Sequence, residues 1–262
     1  MEFTDAQIGA WVGSFVWPMF RIASFLMIIP IFGAQFIPMR VRSGMAFLLA
    51  LLVAPLIPEV PLVEALSINA LLITVQQVFI GALMGFMFVM LTQIFVVAGQ
   101  IIAMQMGLGF ASMVDPTNGV TVPVLSQIYL IAVTLIFLAM NGHLVMIETI
   151  VESFTIWPIS QDIIGGMSIQ PTELWLFLIK VNWLFASALL VALPVITSVL
   201  IVNLSFGIVT RAAPQMNVFT LGFPIGMIFG FFLVWASVSE LAPMFERFSR
   251  ELFEFFREIK GV

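Results

Sequence analysis

The sequence predicts an all-α integral membrane protein. Of its 262 residues, 62% are hydrophobic and 9% are charged, whereas a soluble domain carries roughly 25% charged and 45–50% apolar residues. Mean hydropathy is +1.18. The few charges are clustered, which leaves charge-free blocks at 65–114, 116–147, 181–210 and 212–239. A bilayer core about 30 Å thick takes about 20 helical residues, so these blocks read as helices in or across a membrane. The length suits one domain without a sizeable soluble appendage.

Composition excludes several functions. The chain has no cysteine and one histidine, His143. Thiolate nucleophiles, disulfides, Fe–S clusters, Cys-type zinc sites and His-based metal cages therefore lack their parts, and no cofactor is expected. A net charge of −5 argues against nucleic acid, which wants a basic stripe.

Taken in order, the elements start with a helix near residue 5. Thr4 and Gln7 fit a capping box, and the acidic opening MEFTD lacks the positive start of a cleavable signal peptide. Residues 8–37 are apolar apart from Arg21, and Arg40 and Arg42 follow. The apolar run at 43–57 is short for a span. The block at 65–114 has the opposite fault, being about twice a span. It reads as a hairpin, or as a span continued by a non-spanning apolar helix. Breakers Pro158, Gly165, Gly166 and Pro171 make 156–173 a loop, with Thr172 a candidate cap for the next helix. From Phe245 onward, Phe248, Leu252, Phe255, Phe256 and Ile259 share one helical face. This predicts a separate amphipathic helix over 245–262, lying on the membrane surface or against a partner.

Arg40, Arg42 and Arg211 would be cytoplasmic by the positive-inside rule. A plain six-span count would then leave the C-terminus outside despite its basic residues, so that count is not expected to hold.

Several polar or small residues stand out. Gly81-x-x-x-Gly85 and Gly222-x-x-x-Gly226-x-x-x-Gly230 are stripes that let helix backbones approach closely. Gln93 and Gln100 share a face that Met104 continues, with Gln76 and Gln77 further back. An amide in hydrocarbon needs a partner, so this face meets either another helix or a conduit. Arg21 inside an apolar segment reads as a functional charge, or as one that snorkels or pairs with a partner's carboxylate. Arg211, before the helix-stopping Pro214, reads as an interface anchor or a partner contact. His143 fits a hydrogen-bonded helix end. A proton relay would need Glu148, its sequence-local acid.

The segment 105–123, QMGLGFASMVDPTNGVTVP, interrupts the apolar helices. Gly107 and Gly109 break the helix, and Asp115, Pro116, Asn118 and Gly119 form a turn sequence. Phe110 and Met113 are apolar residues on an irregular stretch. Such backbone at membrane depth is tolerated only inside protein or beside a water-filled cavity. The residues alone leave two readings open, a surface turn and a movable pore-filling loop.

This segment, as GQIIAMQMGLGFASMVDPTNG, resembles the signature of the R/T-subunit family of type III export gates, flagellar and injectisome. FRIASFLMIIPIFGAQFIPMRVRSGMA (20–46) and NLSFGIVTRAAPQMNVFTLGFPIG (203–226) agree with it in the same order. The resemblance runs from about residue 10 to about residue 245. It implies kinked helical hairpins in a hetero-oligomer with P and Q subunits, through which unfolded flagellar proteins cross the bacterial inner membrane at the basal body. It implies a P-like part followed by a Q-like part over residues 1–244, and contact with the B-type substrate-switch component. It also implies that 107–119 is a plug, closing the pore together with a methionine ring from the P subunits. The chain itself shows no P-loop and is expected to be a conduit component surrounded by membrane lipids, not an enzyme.

Two rivals remain at this level. A secondary transporter could build a midplane solute site from broken helices, Asp115 and Arg211. An intramembrane enzyme would have to work around His143, since no G-x-S-x-G elbow is present.

Overall fold

The structure is a computed structural model that describes residues 5–33, 37–57, 63, 67–110, 112–114, 121–159, 171–212 and 218–259. Among them are eight α-helices: α1 (Asp5–Ile28), α2 (Met39–Val53), α3 (Ile68–Gln105), α4 (Val124–Ala139), α5 (Gly142–Ile156), α6 (Pro171–Ala212), α7 (Val218–Ser237) and α8 (Leu241–Ile259). Short 3-10 turns follow α2 at Ala54–Leu56 and precede α8 at Val238–Glu240. After α3 come a 3-10 turn, Leu108–Phe110, and two short strands, β1 (Ser112–Val114) and β2 (Thr121–Pro123). The strands pair antiparallel with Met113 opposite Val122.

The all-α membrane class holds. Four helical stretches are long and apolar enough to cross a membrane, and α4 with α5 forms a further apolar pair bent by 72°. The bend falls at Asn141, whose φ of 56° is left-handed, a conformation that asparagine tolerates better than most residues.

The block at 65–114 is not a hairpin. Its core is one unbroken 38-residue helix, α3, about 57 Å long at 1.5 Å per residue. No proline occurs between residues 62 and 115, and the glycines at 81, 85 and 99 are isolated, so nothing supplies the turn a hairpin needs. α6 is longer still at 42 residues with Pro194 inside, about 63 Å. Around Pro194, Thr197 Oγ1 donates to the Leu193 carbonyl at 2.8 Å and Ser198 Oγ to the Pro194 carbonyl at 2.8 Å. Hydroxyls on an apolar helix find such backbone acceptors when no water is at hand. Pro171 opens α6, a position where its missing N–H costs nothing, so Thr172 lies inside the first turn and does not cap it.

Two compact units divide the chain: residues 1–89, 141–179 and 254–262 make the first, and 90–140 and 180–253 the second. Neither is a continuous stretch, and α3, α6 and α8 each contribute to both. In the first unit, Ala46, Ala50 and Val53 of α2 are buried on the side that meets α1. Phe88 there lies 5.9 Å from Phe25 and 6.2 Å from Phe256, and Phe177 lies 5.3 Å from Phe255, between ring centroids. In the second unit, Phe95 lies 6.0 Å from both Phe245 and Phe248, and Phe248 lies 6.1 Å from Trp183.

These rings correct the reading of the terminal helix. The apolar stripe of α8 is not spread on a membrane or kept for a partner. Phe245, Phe248, Leu252, Phe255 and Phe256 are all buried by the chain's own helices. A stripe of large aromatics covers more apolar area inside the protein than on a bilayer surface. The opposite face carries the expected i,i+4 pairs, Arg247–Glu251 at 3.0 Å and Glu246–Arg250 at 3.1 Å. The first is held further by Trp183 Nε1, which donates to Glu251 Oε2 at 2.6 Å.

Candidate functional site

In the first unit the site grows from Arg21. Its helix presents Arg21 toward α3 and α5 because Gly81 and Gly85 let α1 lie directly on α3. A Cβ at Gly81 would overlap the Arg21 carbonyl oxygen and the Ser24 hydroxyl, and one at Gly85 would come within 3.1 Å of the Phe25 carbonyl oxygen. Arg21 is wholly buried. Its Nε donates to Gln77 Oε1 at 2.7 Å. Nη1 donates to the Ser153 carbonyl at 2.9 Å and Oγ at 3.2 Å, and Nη2 to the Trp157 carbonyl at 2.8 Å. The guanidinium lies 4.2 Å from the centre of the Phe154 ring, a cation–π distance.

Ser153 and Trp157 lie in and just beyond the last turn of α5, so Arg21 closes the carbonyl end of that helix. That end carries the negative pole of the helix dipole and unpaired C=O groups. Four dipolar acceptors and an aromatic face thus stand where a carboxylate would be the simplest partner. Trp157 Nε1 in turn donates to Glu173 Oε2 at 3.3 Å, in the first turn of α6. The described acceptors of Arg21 thus lie on its own chain, and none of them is a carboxylate.

In the second unit the site lies at the root of the 105–123 segment. α3 ends at Gln105, and Gly107 takes a left-handed φ of 76°, where a side chain would be strained. Met106 is buried against the α7 glycine stripe: a Cβ on Gly230 would lie 2.7 Å from Met106 Cγ. Gly226, also buried, faces Asn203 Oδ1 at 3.5 Å from its own Cβ position, and Gly222 is buried as well. A cavity of about 230 Å³ opens here, lined by Met104, Gln105, Gly107, Val199, Asn203 and Gly226.

The fold therefore unites two features that lie far apart in the sequence, the glycine stripe and the start of the interrupting segment. It also corrects the segment's irregularity. Gly109 and Phe110 fall in a 3-10 turn and Met113 in β1. Asp115, Pro116, Asn118 and Gly119 lie outside the described residues. Arg211 is exposed in the last turn of α6. His143 is the second residue of α5, and its buried Nδ1 has no partner among the described residues, against the hydrogen-bonded helix end expected. Glu148 is exposed, and no described bond joins it to His143. No cluster of three or more His, Cys, Asp or Glu that could hold a metal occurs among the described residues.

Some contributors escaped sequence reasoning. Gly99 seats α4 on α3, with a Cβ position 2.8 Å from Ser126 Cα; Gly99-x-x-x-Ala103 was the available signal. Ser153 and Trp157 gave none, being 132 and 136 residues from Arg21. Asn203 was the single amide of α6's second half.

Helices longer than a bilayer is thick, glycine-lined crossings and a looped ribbon between two of them define a polytopic helical membrane protein with a discontinuous, two-unit core. The model for bacterial export proteins, family 1, matches residues 12–252. The chain is 35% identical to flagellar biosynthetic protein FliR of Escherichia coli over 262 residues, covering 99% of this chain and 97% of that one. It is 34% identical to FliR of Pectobacterium carotovorum with the same coverage, and 29% identical to FliR of Bacillus subtilis over 86% of each. The chain belongs to this FliR family of bacterial export proteins, and is a membrane subunit of the flagellar export apparatus.

Proposed function

We propose that the chain is the R-type subunit of the flagellar type III export gate, in the bacterial inner membrane at the basal body. It forms part of the channel for unfolded flagellar proteins, together with P and Q subunits, and contacts the B-type substrate-switch component. Residues 1–244 comprise a P-like part and a Q-like part, to which 245–262 adds a terminal helix. It works as a conduit and not as an enzyme. Its plug is the segment from Gly107 to Gly119, with Phe110 and Met113 filling the closed pore.

The observation that carries this reading is the build of the segment's root. α3 stops, Gly107 turns the chain at φ 76°, and Met106 is fixed on Gly230. A loop clamped at its base and turned by glycine can be displaced without unravelling the helix that bears it. Methionine suits the clamp, because its unbranched side chain repacks readily.

The test is removal of residues 108–119 from a gate co-expressed with its P and Q partners. Native mass spectrometry first establishes that the variant enters the complex. Ion conductance of reconstituted gates should then rise well above that of the wild type. Unchanged permeability in a fully assembled variant defeats the plug assignment.

A further inference from the structure

The cavity at the end of α3 holds two side-chain amides with nothing to bond. Gln105 ends α3 and Asn203 lies in the second half of α6. Both line the cavity, whose volume is about 230 Å³, and neither side chain has a hydrogen-bond partner among the described residues. The rest of the wall is apolar, with Met104, Met106, Val199 and the bare backbone of Gly226. All of it belongs to the second unit. Asn203 and Met104 are both exposed, so the cavity opens outward and a guest can enter. We propose that it takes one large apolar side chain of the polypeptide in transit, while the Gln105 and Asn203 amides bond the peptide groups beside that side chain. The inference rests on the conduit reading and gives it a point of contact with the exported chain.

Hydrogen-bonding capacity argues first. An amide left unpaired away from water costs free energy, and an acyl chain offers it neither donor nor acceptor. A peptide group offers both, and a side-chain amide has both to give in return. Gln105 and Asn203 can therefore bond a backbone whatever its sequence. Size argues next. An apolar cavity of roughly 150 Å³ accepts benzene, so about 230 Å³ admits a phenylalanine, methionine or leucine side chain. The walls argue third. Thioethers are unbranched, repack readily and touch aromatic rings favourably, and methionine-rich surfaces suit promiscuous binders. Met106 is pinned on Gly230, but Met104 is 73% exposed and can swing over a guest. No charged residue is among those lining the cavity, so a charged guest would lose its hydration without compensation. A fixed helix of a neighbouring subunit would present one constant side chain. Adaptable walls and amides blind to sequence fit a chain whose sequence varies.

The experiment replaces Met104 with a photoreactive benzophenone amino acid in the full-length protein, in cells that make the other gate subunits. An exported flagellar protein fused to a stably folded domain halts in transit and serves as the probe. Irradiation should join the probe to residue 104. Gln105→Ala with Asn203→Ala should lower the yield of that adduct roughly fivefold, the worth of about one net hydrogen bond, in a gate that native mass spectrometry finds assembled. Should the double variant fail to assemble, Gly226→Ala decides. Its methyl would sit at an ordinary 3.5 Å from Asn203 Oδ1, so it is tolerated yet narrows the cavity, and it too should lower the yield. The same label at Phe110 separates the two levels of the argument. Adducts with the probe at 110 but not at 104 overturn the cavity proposal and leave the conduit reading standing. Adducts at neither position, in an assembled gate, overturn the conduit reading as well. A yield at 104 indifferent to the alanine variants, or an adduct there on a neighbouring subunit instead of the probe, also defeats the proposal.

Discussion

Met106 and Gly230 fit each other with no room to spare: the position a Cβ would take on Gly230 lies 2.7 Å from Cγ and Cε of Met106 and 2.8 Å from its sulfur. Real Cβ atoms do not sit so close, so any side chain at 230 must move Met106, the residue from which the interrupting segment departs. Gly230→Leu should therefore impair motility by displacing the loop root, at about 1–3 kcal/mol of overpacking. Met106→Ala in the same chain should restore part of the halo diameter in soft agar. Such rescue marks the two residues as coupled, and an additive double variant would separate them.

Gly81 is a harsher case, because the obstacle is backbone. Its Cβ would collide with the Arg21 carbonyl, which cannot swing aside as a methionine can. Gly81→Ala should lower the yield of folded protein in detergent by size-exclusion chromatography. Gly44→Ala, where nothing lies within 4 Å, should leave that yield unchanged or improve it slightly, since alanine favours helix by about 1 kcal/mol.

Arg21 should behave as a helix cap and not as a transport charge. Arg21→Leu strands the carbonyls of Ser153 and Trp157 and the Gln77 amide oxygen, each costing about 1–3 kcal/mol if left unpaired. The detergent-solubilised protein should aggregate at a clearly lower temperature. Arg21→Lys keeps the charge but loses the planar fork, and should fall between leucine and wild type. Equal melting of all three would remove the capping role.

The two faces of α8 should differ sharply. Phe248→Ala opens a cavity between Phe95 and Trp183, a change worth about 3–5 kcal/mol. Glu246→Gln breaks only an exposed pair, worth at most about 1 kcal/mol. Thermal stability in detergent distinguishes these outcomes.

Legibility followed the range of the interactions. Gly81 and Gly85 could be read as a helix-crossing stripe because their spacing is local. The stripe of Phe245, Phe248 and Leu252 was equally plain, but its cover was not. Amphipathicity shows that a face is apolar and says nothing about which surface meets it. The short 112–114 and 121–123 strands were missed because three residues show no period. Arg21 announced itself as an intramembrane charge, yet two of its four acceptors are backbone carbonyls, which no side-chain pattern reveals. α3 resisted for another reason: total apolarity gives the same signal for a lipid-facing span and for a helix with much of its surface buried within its own protein.

A chain without cysteine is silent toward thiol reagents, and the open space around Gly44 and Gly207 offers two places to give it a voice. A single sulfhydryl at either glycine would be the protein's only reactive handle, set on a helix where nothing crowds it. A maleimide unable to cross membranes, applied to intact cells and then to inverted vesicles, would report which compartment each site faces. The handle at 44 lies two residues from Arg42, so the same label would name the leaflet in which α2 begins.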